Sequence, residues 1–255
     1  MSSKYTLAGM MLLLLVAQGA GATNLKVNCD KAGTLAKALE KAKPGMTIQI
    51  TGTCHEAVTI TTDRLTLDGG GTAILDGGGQ QAVVTIQDAR AVTLQGLTIR
   101  NGNPHGVFAR LGVTMTLRDV IVEQCVLGVE MDGAKARLID STLQHNSSVG
   151  FLALHTSTVE ILGDVVSQHN GFGLVIANGS AAFLPHAGQG TLTAHDNGRD
   201  GVLISAGSAL SLQDPGNSLI AHHNGGSGLL VAPNSSVLIV FGGTLDLHDN
   251  QVHGL

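Results

Sequence analysis

Tryptophan is absent from this 255-residue sequence, and its one tyrosine, Tyr5, sits in the leading segment. Saccharide clefts commonly use such rings as rigid amphipathic platforms, so the shortage argues against a deep sugar cleft. Charge is scarce as well: Asp, Glu, Lys and Arg make up 13% of the chain, where roughly 25% is usual. With a net charge of -5 and no basic run, nucleic acid and acidic membrane surfaces are excluded as partners. Cysteine is limited to Cys29, Cys54 and Cys125, with no CxxC pair, which argues against a metal site built on cysteines. Long apolar runs are missing after residue 22. The one such run, residues 7–17, follows Lys4 and precedes Ala20-Gly21-Ala22, the pattern of a signal peptide over residues 1–22 cut before Thr23. It is short of the roughly 20 residues a membrane span needs. The expectation is a secreted or periplasmic protein with no transmembrane segment after cleavage.

What the chain has in quantity is glycine, 35 residues, among Val, Leu, Ile, Thr and Ala. The glycines are periodic. His169-Asn170-Gly171-Phe172-Gly173-Leu174-Val175-Ile176 returns from Asp196 to Ile204 and from His223 to Val231, with looser copies starting at Asn101, Gln124, Asn146 and Asn250. The glycine before each apolar triplet falls at Gly106, Gly128, Gly150, Gly173, Gly201, Gly228 and Gly254, at intervals of 22, 22, 23, 28, 27 and 26. Such a period marks a stacked repeat in which each unit closes its core only against its neighbours.

Three short strands fit each repeat. In one, residues 128–131 lead through Asp132-Gly133 to residues 136–139, a bend at Asp140 and residues 141–144. Earlier strands are expected at residues 47–50, 58–60, 65–67, 73–75, 83–86, 92–94 and 97–99. Like residues should then stack inward one coil above another: Val107, Val129, Phe151, Leu174, Val202 and Leu229 in one column, Ala109, Met131, Ala153, Ile176, Ile204 and Val231 in a second. The asparagines before the glycines mark a turn that tolerates left-handed backbone, with amides free to bond along the axis. One helix is expected, capped by Thr34, carrying Leu35, Ala38, Leu39 and Ala42, and stopped by Pro44-Gly45. The division that follows is a signal peptide at 1–22, a cap with its helix at 23–46, and a β-solenoid at 47–255.

The block Thr51-Gly52-Thr53-Cys54-His55-Glu56-Ala57-Val58-Thr59-Ile60, with Leu65-Thr66-Leu67-Asp68-Gly69 and Val92-Thr93-Leu94-Gln95-Gly96-Leu97-Thr98-Ile99, resembles secreted right-handed parallel β-helix repeat proteins of the pectate-lyase-like superfamily. The Asn-x-x-Gly repeats resemble it too, so the likeness spans nearly all of the mature chain. It implies an all-β, single-stranded right-handed parallel β-helix with an N-terminal capping helix. On activity it is open, since the superfamily holds lyases, hydrolases and epimerases of acidic polysaccharides beside members that catalyse nothing.

No catalytic motif of that family carries over residue by residue. The charged residues nearest to one are Glu130, Asp132, Arg110 and Arg137. Asp132 or Glu130 reads as an acid or a calcium ligand, with Arg110 or Arg137 binding a uronate carboxylate; the plainer reading is ion pairs between coils, Arg110 lying one coil below Asp132. Phe108 should be exposed beside them. No cofactor is fixed by the sequence, and calcium is the ion those acids would take. Histidines form a second constellation, His145, His169, His195, His222 and His248, once per coil. His195, His222, His223 and His248 could hold copper or zinc, as in some periplasmic copper-handling β-helix proteins that this pattern resembles; the alternative is a polar ladder closing each turn. In an oxidising compartment Cys29 and Cys54 would pair and Cys125 would pack as a buried apolar group.

Two features point to partners. Leu152, Val175, Leu203 and Leu230 would face outward on successive coils, a stripe that calls for a cover. The last repeat begins at Asn250 and reaches only Gly254-Leu255, which suggests an open or truncated end at which two chains could pair. The function expected is a non-catalytic exported solenoid that binds a polysaccharide or a cell-envelope component. The alternatives are a uronan lyase or hydrolase and a periplasmic metal handler.

Overall fold

The structure, a computed structural model, describes residues 24–31, 34–185, 190–240 and 242–252. The expected signal peptide, part of the loop at residues 184–190 and the final Gly254-Leu255 lie outside the described residues. The chain winds as an all-β right-handed parallel solenoid of about nine turns. Every strand pairing is parallel, one coil against the next. Eight strands form one face: Val58–Ile60, Val84–Ile86, His105–Ala109, Leu127–Asp132, Val149–Leu154, Phe172–Ile176, Val202–Ile204 and Leu229–Val231. The remaining paired strands form a 16-stranded sheet that bends into two further faces. Thr66–Asp76, Val92–Arg100 and Thr158–Gln168 run round that bend without a break, so the separately expected strands at 65–67 and 73–75, and at 92–94 and 97–99, are continuous.

Alternation drives the winding. Along Thr114–Arg118, Met115 and Leu117 turn inward while Thr114 and Thr116 face out, as the two-residue strand period requires. Both inward columns form in the expected register, Val107 to Val129 to Phe151 to Leu174 to Val202 to Leu229 and Ala109 to Met131 to Ala153 to Ile176 to Ile204 to Val231. All but Val231 are buried. Stacking one apolar side chain on the next about 4.8 Å away lets a 22-residue coil that has no core of its own share one with its neighbours.

Left-handed backbone falls one residue earlier than the sequence suggests. From the third corner on it is taken by His145, His169, Asp196, His223 and Asp249, each just before an asparagine that points into the corner, whereas at the two earlier corners Asn101 itself, as expected, and Gln124 take it, before Gly102 and Cys125. There Asn146, Asn170, Asn197 and Asn224 are buried. The backbone N–H and the side-chain amide of each donate to the Oδ1 of the asparagine one coil on: Asn146 to Asn170, Asn170 to Asn197, Asn197 to Asn224, and Asn224 to Asn250. The repeated glycine is there for room. A Cβ on Gly150 would lie 2.8 Å from the Asn170 amide nitrogen and 2.7 Å from the Gly173 carbonyl oxygen. A second buried ladder, absent from the sequence reading, links the Ala134 N–H to Ser157 Oγ, the Ser157 N–H to Ser180 Oγ and the Ser180 N–H to Ser208 Oγ, each at 3.1 Å.

At the N-terminal end the cap is part of the solenoid, because Asn24–Asn28 pairs with Thr47–Thr51. The helix is shorter than expected, Leu35–Leu39, with Thr34 Oγ1 accepting from the Lys37 N–H. Glu56 reaches across to accept from the free N–H groups of Leu35 and Ala36 at 2.6 and 3.1 Å, the terminus where an anion is stabilising. Cys29 and Cys54 are disulfide-bonded, and Cys125 is free and buried. No described helix is long and apolar enough to cross a membrane.

Candidate functional site

Where the 16-stranded sheet passes through Thr114–Arg118, Lys135–Ile139 and Thr158–Gln168, outward residues line an open groove of about 310 Å³. Register builds it. Thr116, Arg137, Glu160 and Phe183 occupy one row on four successive coils, and Thr114, Lys135 and Thr158 a parallel row two residues away. Arg137 Nε donates to Glu160 Oε2 at 2.6 Å, yet its side chain remains 59% exposed. The groove therefore offers a guanidinium held at one edge, an ammonium, three hydroxyls and one aromatic ring. Of these the sequence points to Arg137 alone, because Thr114, Thr116, Lys135 and Thr158 share no motif and meet only through register.

Glu130, Asp132 and Arg110 lie on the eight-stranded face, a different sheet from Arg137. Glu130 Oε2 meets His105 Nε2 at 2.9 Å with each side chain 16% exposed, and the His105 ring stacks on Phe108 at 4.6 Å. The expected pairing of Arg110 with Asp132 does not form. Asp132 Oδ1 instead meets His155 Nδ1, 2.6 Å away. The Arg110 guanidinium lies 5.6 Å from the Phe108 ring centroid, and Nη1 donates to Gln87 Oε1 at 3.5 Å. Position decides this: His155 follows the strand directly above Asp132 in left-handed conformation, while Phe108 is two residues from Arg110 on the same strand edge.

Beyond Glu130 the same face turns apolar. Leu152, Val175, Leu203 and Leu230 stack in register, and the first three join Leu127, Val149, Leu154, Phe172 and Ala177 in a cluster separate from the interior. The stripe is outward as expected, though Val175 is only 9% exposed and Leu230 40%, since side chains of neighbouring coils cover one another.

Histidines gather at the corner above the asparagine ladder. His195, His222 and His248 share one register column, with ring centroids 5.0 Å apart and nearly parallel. His145, His169 and His223 occupy the adjoining left-handed position, which explains the uneven spacing of histidine to asparagine in the sequence. Acids brace the stack: His195 Nδ1 meets Asp196 Oδ2 at 2.7 Å and His248 Nδ1 meets Asp249 Oδ2 at 3.0 Å. These hydrogen bonds hold both carboxyls below their usual range. His222 is pushed down by burial and by the neighbouring imidazoles of His195, His223 and His248. In the same column further back stand Gln168, Gln144 and Glu123, hydrogen-bonded in series, and then Arg100 and Asp76. Asp76 is raised by burial, but bonds from Asn101, the Gly78 N–H and Arg100 outweigh this and set it below the usual carboxylate range.

Among the described residues, the trio of metal-ligating atoms lying within 4.8 Å of one another is Cys29, Cys54 and Glu56. It cannot serve as a metal site, because both sulfurs are in the disulfide and Glu56 is engaged by the helix terminus.

The family described as a right handed beta helix region matches residues 81–213. No curated protein matches the chain by sequence. Among solved structures, it is similar to the A-module of the mannuronan C-5 epimerase AlgE4 from Azotobacter vinelandii, with a TM-score of 0.57 and 18% identity. That match covers 85% of this chain and 66% of the module, so the chain spans just under two thirds of its length. Looser similarities are to pectate lyase Pel9A, with a TM-score of 0.49 and 12% identity over 90% of this chain and 80% of that one. Pectin methylesterase PemA from Erwinia chrysanthemi follows, with a TM-score of 0.47 and 14% identity over 84% and 80%. At these identities the likeness is one of fold.

Proposed function

Starting from a chain that belongs to the right handed beta helix family, we propose that it is an exported, non-catalytic solenoid that binds an acidic polysaccharide in the groove around Arg137. The observation that carries this is the row of Thr116, Arg137, Glu160 and Phe183 beside Lys135 in a concave surface. Coils about 4.8 Å apart present these groups at a regular repeat along the axis, as a polymer presents its own. Arg137 is steadied through Nε by Glu160, and an exposed planar guanidinium of this kind suits a carboxylate. The Cys29–Cys54 bond suits an oxidising compartment outside the cytoplasm. Lack of catalysis is favoured because Glu130, Asp132 and Arg137 are each matched to a partner within the protein.

A second reading, acid-base cleavage on the eight-stranded face, has one specific support. Glu130 and His105 are in hydrogen-bond contact, mostly buried, and set beside the Phe108 ring, a pair able to hold and pass a proton.

The test is binding of the purified chain to polymannuronate and polygalacturonate, with a neutral glucan as control and ultraviolet absorbance to follow unsaturated product. The fold shared with a mannuronan epimerase module makes polymannuronate the first ligand to try. Arg137→Ala should weaken binding about tenfold or more, the scale of a lost charge-assisted hydrogen bond. Equal affinity for the neutral glucan, or none for any polymer, would sink the groove reading. Product formation abolished by Glu130→Gln would establish the second reading instead.

A further inference from the structure

The histidine doublet at the corner of the penultimate coil has geometry that carbohydrate binding does not use. Adjacent residues in a strand point to opposite faces, so two neighbouring histidines normally diverge. Here His222 ends the strand Ser218–His222 and His223 takes left-handed backbone, which turns both rings to one side. Their Nδ1 atoms lie 2.7 Å apart with the rings almost perpendicular. Backbone bonding holds the turn, since the His223 N–H donates to the Asp249 carbonyl.

At metal–imidazole distances of about 2.0–2.1 Å, two nitrogens 2.7 Å apart subtend about 80° at a shared ion. That is close to the cis angle of a square-planar or tetragonal site, the arrangement favoured by divalent copper and nickel, and well below the tetrahedral angle of zinc. We infer that His222 and His223 form a chelating pair for a divalent copper or nickel ion, with His248 of the next coil as third ligand. His248 is suited to the role: its ring lies 5.0 Å from that of His222, its side chain is 46% exposed, and with Nδ1 on Asp249 its Nε2 is the nitrogen left to ligate. Among the described residues, no three belt nitrogens already lie within 4.8 Å of one another, so binding draws His248 toward the pair. Asp249 on His248 Nδ1 and Asp246, whose Oδ1 lies 3.9 Å from Nε2, orient the ring and offset the charge of the ion, the part outer-shell carboxylates play at metal sites. The other corners lack this. Gln144 with His145, Gln168 with His169, His195 with Asp196, and His248 with Asp249 each give one imidazole where this corner has two, and Arg100 with Asn101 and Glu123 with Gln124 give none.

The experiment titrates copper(II) and nickel(II) chloride into the full chain, purified without a polyhistidine tag, by calorimetry against a competing chelator. One ion per chain is expected, with nitrogen coordination in the copper electron paramagnetic resonance spectrum. His223→Asn keeps a residue suited to left-handed backbone, as Asn101 shows at the equivalent corner, and removes one ligand. It should weaken binding by roughly tenfold or more, the scale seen when even an outer-shell partner is lost, while circular dichroism stays unchanged. His145→Asn, at the far end of the belt, should leave affinity as it is. Equal loss in both variants would mean diffuse binding along the belt and would overturn the site, as would an absence of stoichiometric binding by the unaltered chain.

Discussion

Replacing Asn197 by alanine tests the central structural argument, that a buried amide ladder fixes one corner of every coil. Asn197 is 2% exposed. Its Nδ2 donates to Asn224 Oδ1 at 2.9 Å and to the Ser167 carbonyl at 3.1 Å, and its Oδ1 accepts from the Asn170 N–H at 3.0 Å. The alanine leaves Asn170 with a buried N–H facing no acceptor and deprives the Ser167 carbonyl of a donor. Asn224 Oδ1 keeps the backbone N–H of residue 197. One orphaned buried group costs about 1–3 kcal/mol, so a loss of about 3 kcal/mol is expected from the two. Asn250→Ala is the control: that side chain has the same ladder role but is half-buried, where water replaces the lost partner, and about 1 kcal/mol or less is expected. Asn197→Asp keeps the acceptor but sets an oxygen against Asn224 Oδ1 and the Ser167 carbonyl, so it should cost as much as alanine or more at neutral pH. Urea unfolding followed by circular dichroism reads all three through the midpoint at constant slope. If Asn197→Ala and Asn250→Ala lose the same amount, the ladder is not what stabilises this corner.

Burial pushes the Cys125 thiol up to about 11, so native protein at pH 8 should resist alkylation and react at one site per chain once unfolded without reductant; label on Cys29 or Cys54 would contradict the disulfide. Asp76, held below the usual carboxylate range by Asn101, Gly78 and Arg100, contributes stability that is fully present above pH 3.8, its ordinary value, and is lost as pH falls through its lower folded value. Asp76→Asn should therefore be less stable than the unaltered chain at pH 7, by about 1–3 kcal/mol, with the gap closing below pH 3.8; a gap independent of pH would show that the carboxylate charge is not involved.

The fold was legible because a solenoid writes its three-dimensional neighbours into the sequence at a fixed period. Gly128 and Gly150 are 22 residues apart in the chain and one coil apart in space, so the inward columns could be named residue by residue before any coordinate. The disulfide was legible because Cys29 and Cys54 flank one helix-and-strand unit. What the sequence hid depends on which side chain reaches which. Arg110 does lie beneath Asp132, but a histidine one residue beyond the strand above reaches the acid first. The general preference of asparagine for left-handed backbone holds at Asn101, but at Asn146, Asn170, Asn197 and Asn224 the asparagine is needed inside and the residue before it takes the turn. The groove was hidden because its rows join residues 116, 137, 160 and 183, which share no motif and meet only through register.

The asparagine ladder and the histidine belt are consequences of one corner. Each asparagine bonds to the next across a coil, through both its backbone N–H and its side chain, so the residue just before it is set at the same height and angle on every turn. That fixed residue is His145, His169, Asp196, His223 or Asp249, and the strand end preceding it is Gln144, Gln168, His195, His222 or His248. Imidazoles placed there have little choice but to stack about one coil apart, and 5.0 Å between rings is what results. Coil length varies, from 22 to 28 residues between successive glycines. The ladder corner keeps its one-residue turn throughout. A mutation that breaks the ladder at Asn224 would thus reach the His222–His223 pair without touching either ring, because the backbone that turns both to one side is held from beneath by that amide.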